Sequence, residues 1–223
     1  DITYEEAIIQ NSTNGVMTSV AGDEFSIGYI SLGSLNDTVT SVDIEGVEAN
    51  ADNVKSGEYK IARPFNIAYQ EGLSELGQDF ISFILSEEGQ AIVEDNALVS
   101  IGEGETYKSS GLSGSLVIDG STSVTPIMEK LKEAYEALNG GVTIEIQSTG
   151  SSAGMTATME GSADIGMASR DLKDSEKAEL TYQAIAMDGI AIIVNNSNSI
   201  DNLTIDQVKE IYLGNTKDWS QLK

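Results

Sequence analysis

The spacing of apolar residues changes character along the chain and marks out the elements it predicts. Residues 4–9 open with a helical pattern, and 12–21 (STNGVMTSVA) predict a helix behind a polar cap. The run 26–31 (SIGYIS) predicts a buried strand and 39–44 a more polar one. Residues 47–56 resemble a short connecting helix, and 61–69 (IARPFNIAY) an extended segment, because Pro64 argues against helix. In 75–85, Leu76, Phe80, Ile81, Ile84 and Leu85 fall on one helical face, and 87–95 continue as a second helix after Ser86. Residues 102–114 (GEGETYKSSGLSG) shift to glycine, serine and charge and read as a linker, too polar to pack and too glycine-rich to stay ordered.

After the linker, strand, loop and helix repeat. Strands are predicted at 115–119, 142–147, 165–168, 184–187 and 190–195, and helices at 127–138, 153–160, 175–180 and 203–213. The alternation predicts an α/β fold with mostly parallel sheets. Asp188 interrupts an apolar run (AMDGIAIIV) and reads as a satisfied turn aspartate, and Trp219 as core or rim.

Composition narrows the chemistry. The 223 residues suffice for one large domain or two small ones. None of their apolar runs reaches the roughly 18 residues of a membrane span. The chain opens at Asp1 with no Met and no basic-apolar leader, so a targeting segment is expected to have been removed or never to have been part of it. There is no cysteine and no histidine, which removes thiolate nucleophiles, cysteine-based zinc sites and the commonest general base near neutral pH. Against 36 acidic residues stand 12 basic ones, a net charge of -24, so nucleic acid and anionic membranes are not expected partners. An anion bound here must be held by local dipoles against that field.

Two loops have the chemistry to do so. Gly120, Ser121, Thr122 and Ser123 follow a predicted strand and precede a helix, as do the residues 148–152 (STGSS). At such a junction the first helical amides lack internal partners and the dipole is positive, while hydroxyls add neutral donors. A third loop, Ser169-Arg170, ends the next strand with a hydroxyl and a cation. Serine and threonine are also ordinary helix caps, so a single loop of this kind reads as a cap. Three in succession favour a site. The stretch 150–154 fits G-x-S-x-G, but without histidine Ser152 has no conventional triad base. No phosphate-binding P-loop motif occurs, and no pair of carboxylates stands out for glycosidase chemistry.

Several motifs carry a resemblance. LVIDGSTSVTPIMEKL, IEIQSTGSSAGM, GSADIGMASRDLKDSEK, DGIAIIVNNSN and LTIDQVKEIYLGNTKDWSQL resemble the amino-terminal half of the phosphate-binding proteins of bacterial phosphate ABC importers. VAGDEFSIGYISLGSL, VKSGEYKIARPF and FISFILSEEGQAIV resemble their carboxyl-terminal half. The halves stand in swapped order, as in a circular permutant or a fragment across a tandem junction, with 102–114 as the joint. The resemblance implies a two-lobed, periplasmic-binding-protein-like α/β fold of the second type with a hinge. One lobe would be built from 66–107 plus 114–197, the other from 1–65 plus 200–223, with crossings near 61–67 and 193–199.

By the same resemblance, phosphate contacts come from Thr122 and Ser123, from Ser151, and from Ser169 and Arg170, with Ser121 and Ser152 as helpers. The family's Ser-Gly-Thr-Arg-type donor loop, between the KDWSQL-like and DITYEE-like stretches, has no counterpart in these residues, and Arg170 stands where an aspartate is common. The implied function is extracytoplasmic capture of inorganic phosphate for an ABC permease by a monomer, anchored by lipid in its precursor or periplasmic, without enzymatic activity, cofactor or metal. The rivals are a scaffold that keeps the fold without the ligand and, third, a carboxylate-based hydrolase.

Overall fold

Several helix starts in this chain are written by short polar residues. Ser12 accepts from the Gly15 amide and opens α1 (Thr13–Gly22). The chain then forms β1 (Ile27–Ser31), a 3-10 turn (Leu32–Ser34) and β2 (Thr40–Ile44). Asn50 accepts from the Asn53 amide to open α2 (Ala51–Ser56), and β3 (Ala62–Tyr69) follows. Ser74 and Ser86 cap α3 (Glu75–Ile84) and α4 (Glu87–Asp95) in the same way. Next come β4 (Gly114–Gly120), α5 (Thr125–Leu138), β5 (Val142–Gln147), α6 (Ser151–Glu160), β6 (Ile165–Ala168) and α7 (Asp174–Lys177). The chain closes with β7 (Thr181–Val194), β8 (Asn202–Leu203), α8 (Ile205–Tyr212) and a 3-10 turn (Trp219–Leu222). This computed structural model describes residues 3–102 and 104–222; Asp1, Ile2, Glu103 and Lys223, which the expected lobes and linker include, lie outside the described residues.

An eight-stranded sheet runs β5-β4-β6-β3-β7-β2-β8, with β1 paired to β7 as well. Only part of it is parallel. β4 lies parallel to β5 and β6, and β2 to β8, whereas β3 runs antiparallel to β6 and β7, and β1 and β2 antiparallel to β7. The expectation of mostly parallel sheets is therefore corrected to a curled mixed sheet. The alternation after 114 describes the β4–α5–β5–α6–β6 units well, but β3 enters from before the linker and reverses the direction.

Apolar burial divides along this sheet. One core gathers Phe80, Phe83 and Ile84 of α3, Met128, Leu131 and Tyr135 of α5, and Leu116, Ile118 and Ile144 of the parallel strands. The second gathers Met17 and Val20 of α1, Val42 and Ile44 of β2, Tyr59, and Leu203 of β8. β7 belongs to both: Ile185 and Ala186 lie in the first core, Ala191 to Val194 in the second. The strands expected at 184–187 and 190–195 are thus one, which passes from the first core to the second between Ala186 and Ala191.

At that crossing Asp188 is fully buried inside a strand, not in a turn. Its carboxylate accepts from the Ser31 hydroxyl (2.8 Å), the Leu32 amide (3.1 Å) and Arg63 Nε (3.1 Å), the last from the residue paired with it on β3. Burial pushes this carboxyl up to about 6, against the pull of the Arg63 guanidinium and the two hydrogen bonds.

Two further expectations change. Residues 4–9 are not helical: Tyr4 gives its amide to the Tyr212 carbonyl (2.8 Å), a turn follows, and Ile8 and Ile9 are exposed. Ile8 and Ile9, the apolar positions of the pattern, meet no core, and a helical pattern with no face to bury gains nothing from tertiary packing. Of the glycine-serine stretch, residues 104–113 are irregular, yet its polar groups are used. Tyr107 donates its amide to Glu88 (2.8 Å) and its hydroxyl to Asp79 (2.6 Å), and its ring lies 5.2 Å from that of Phe83. Ser110 and Tyr135 also donate to Asp79, at 2.9 and 2.6 Å. A tyrosine with an acidic acceptor beneath it packs where composition alone suggested a loose tether.

Candidate functional site

Because β5, β4 and β6 are neighbouring parallel strands, the loops that leave them open on the same edge of the sheet. The loops are then fastened to one another. The Gly150 amide donates to the Gly120 carbonyl (2.7 Å) and the Ser121 amide to the Met167 carbonyl (3.0 Å). The Ser169 amide donates to the Ser151 hydroxyl (3.3 Å). Asp119, buried at the end of β4, accepts from the Thr149 hydroxyl (2.7 Å) and amide (3.3 Å), which sets the second loop over the first. Gly154 lets α6 approach this closely: a Cβ there would stand 2.4 Å from the Gly120 Cα and 2.5 Å from the Asp119 carbonyl oxygen.

The second loop is shorter than expected. Gly150, at φ 102°, is the N-cap of α6, so Ser151 and Ser152 are the first helical residues and not part of the loop. That places the amides of 151–153 in the first turn, where they have no carbonyl partner within the helix. The Ser151 hydroxyl is half-buried and faces the third loop, while Ser152 is exposed.

The remaining expected residues divide by role. Thr122 and Ser123 are half-buried between β4 and α5. Ser121 is buried, and its hydroxyl accepts from the Ser123 amide (3.2 Å), so it holds the loop in shape. Arg170 makes a bidentate pair with Glu176, 2.8 Å from each oxygen, and donates to the Ser152 hydroxyl at 3.2 Å. The hydrogen bonds between them hold the Arg170 guanidinium above its ordinary range and the Glu176 carboxyl below its own, so both are ionised at neutral pH. Asn66 Nδ2 donates to the Arg170 carbonyl (2.9 Å), tying the third loop to β3.

Thr13 escaped the sequence reading. Its hydroxyl, at the start of α1, lies 3.1 Å from that of Ser123 and 3.4 Å from that of Thr122. The STNG run had signalled only a helix cap, and no pattern in the chain links it to a loop more than a hundred residues away.

Chemically, the edge offers neutral amides and hydroxyls beside the paired Arg170, with the Asp119 carboxyl engaged by Thr149. Amides and hydroxyls of this kind have the chemistry to hold an oxyanion. Ser152, the centre of the G-x-S-x-G match, faces Arg170 and Lys173, both cations and neither a base for its hydroxyl. A separate cavity of about 330 Å³, lined by five apolar residues with Thr216, Lys217 and Asp218, contains none of these loop residues. It lacks their array of helix-end amides, so the loop edge is the candidate site.

The PBP superfamily domain matches residues 105–223. The phosphate-binding protein PstS 2 of Streptococcus pneumoniae is 50% identical over 224 aligned residues, covering 100% of this chain and 77% of that protein. The phosphate-binding protein PstS of Staphylococcus saprophyticus is 40% identical over 112 residues, 47% of this chain and 35% of that protein. Among solved structures, a phosphate-binding protein of a phosphate ABC transporter from Streptococcus pneumoniae has a TM-score of 0.80 at 50% identity, covering 100% of this chain and 87% of that one. On these grounds the chain belongs to the PstS family of phosphate-binding proteins within the PBP superfamily.

Proposed function

We propose that this chain is an extracytoplasmic receptor that captures inorganic phosphate between two lobes and presents it to the permease of an ABC importer. The observation that carries the reading is the mutual fastening of the three loops at one sheet edge, which pre-organises neutral donors before any ligand arrives. Donors already in place cost no reorganisation on binding, and neutral donors suit a chain of net charge -24 better than a cluster of cations would. Thr122, Ser123, Ser151 and Ser169 are the proposed ligand-binding hydroxyls. Ser121, Ser152 and Arg170 are their supports.

The lobes of this reading are the two apolar cores, joined where β3 and β7 pass between them. Closure excludes water and strengthens each donor. Among the described residues no helix is long and apolar enough to cross a membrane. Attachment would come from a lipid anchor in the precursor, and the receptor would work as a monomer.

The swapped halves belong to this reading as a natural feature of one branch of the family. In support, one alignment with the streptococcal relative covers the whole chain, whereas the staphylococcal relative aligns over about half of it. A permuted member should align in this way with a protein that shares its order and with one that does not.

Titration calorimetry with phosphate, and separately with sulfate, tests the function. Saturable 1:1 binding of phosphate is expected, and Ser151→Ala should weaken it by about 1–3 kcal/mol if its hydroxyl is a buried donor. A folded protein that takes up neither anion would leave the scaffold reading in its place. Unchanged affinity in Ser151→Ala would remove that residue from the site.

A further inference from the structure

Thr13 begins α1, a helix anchored in the second core by Met17 and Val20. Its hydroxyl nevertheless reaches Ser123 (3.1 Å) and Thr122 (3.4 Å), in the loop that joins β4 to α5 of the first core. Helix formation does not call for the contact, since Ser12 already supplies the cap. Apolar packing does not either, since Thr13 is among the buried residues of neither core. What the contact does is join α1 of the second core to the first loop of the candidate site.

We infer that Thr13 is the positioning residue that couples occupancy of the anion site to closure of the second lobe, an inference that rests on the phosphate reading above. Each of these hydroxyls has one proton to donate and lone pairs to accept with. An anion oxygen beside Ser123 takes that proton and leaves the Ser123 oxygen as an acceptor. Thr13 then has to be the donor, so the hydroxyls align in one direction, from α1 through Ser123 to the anion. Bonds aligned in this way polarise and strengthen one another. In the empty site the Ser123 proton is free to point at Thr13 instead, and the pair has no fixed direction. Anion binding therefore tightens the hold of the loop on α1. By linkage, α1 in its closed place makes Ser123 the better donor.

The test is titration of the full chain with inorganic phosphate in Thr13→Val, which keeps the shape and removes the hydroxyl, and in Thr13→Ser, which restores it. Thr13→Val should weaken binding about five- to tenfold, the value of one hydrogen bond of this kind, and Thr13→Ser should stay within about twofold of the wild type. In a Ser123→Ala background the relay is already cut, so Thr13→Val should cause much less loss than in the wild type, what remains coming from its longer contact with Thr122. That non-additivity is a readout that a merely structural role for Thr13 would not produce. Thr13→Ala serves in the same cycle should Thr13→Val fail to fold. Losses that add, or a Thr13→Val that binds like the wild type while Ser123→Ala is weakened, overturn the coupling and leave the anion site standing. No phosphate binding by the wild type overturns the anion site itself.

Discussion

Arg63→Met removes the guanidinium that faces Asp188 and leaves a fully buried carboxyl with the Ser31 hydroxyl and the Leu32 amide as partners. Breaking a buried ion pair on one side commonly costs about 3–5 kcal/mol, because a charge is stranded. Here that cost has a ceiling. Asp188 titrates at about 6 in the folded protein, raised from 3.8, so a proton is within reach. At pH 7 the ionised form lies below the protonated one by only about 1.4 kcal/mol, one unit of pH at 1.36 kcal/mol each. Without Arg63 the carboxyl can take up a proton, and the part of the loss that comes from its charge is limited to that amount. At pH 5 the wild-type residue is already mostly protonated, and this part falls close to zero.

The wild type carries the matching signature. A carboxyl whose folded pKa is raised holds its proton better folded than unfolded, so its contribution to stability declines as pH rises from 3.8 to about 6. Urea denaturation of both proteins at pH 5 and pH 7, followed by circular dichroism, measures the difference. The variant should lose about 1.4 kcal/mol more at pH 7 than at pH 5. A loss of equal size at both values, or an excess of 3 kcal/mol or more at pH 7, would refute the reasoning.

Two further substitutions probe the frame around the site. Tyr107→Phe removes one of the hydroxyls donated to Asp79 while Ser110 and Tyr135 keep theirs, so chemical denaturation should show a loss of about 1 kcal/mol. Gly154→Ala drives a methyl group into the backbone of Asp119 and Gly120, and should lower stability by about 1–3 kcal/mol and weaken phosphate in calorimetry as α6 is pushed off β4. A variant as stable as the wild type, binding with unchanged affinity, would show that the close approach of α6 is not what shapes the loops.

How much of this was legible in the sequence depends on how far each signal reaches. Local signals served well. The polar cap expected for α1 is Ser12, the helices expected at 75–85 and 87–95 start at Glu75 and Glu87, and the strand–loop–helix units after 114 gave the loops of the candidate site. Signals that need a distant partner failed. The direction of β3 relative to β6 and β7 depends on how segments about a hundred residues apart meet, so the sheet was read as mostly parallel. Tyr107 sits in a glycine- and serine-rich stretch, and nothing local reveals that Asp79 and Phe83 wait for it. Asp188 was read as a turn residue because its partner, Arg63, lies on another strand. Thr13 was missed for the same reason.

The single strand that serves both cores also dictates an order of events during synthesis. β1 leaves the ribosome about 160 residues ahead of the part of β7 it pairs with, 190–194. It must therefore wait, with Ile27 and Ile30 unpartnered, until that stretch has been made. Pairings so far apart in sequence form slowly, and an edge left open during that delay invites association with other nascent chains.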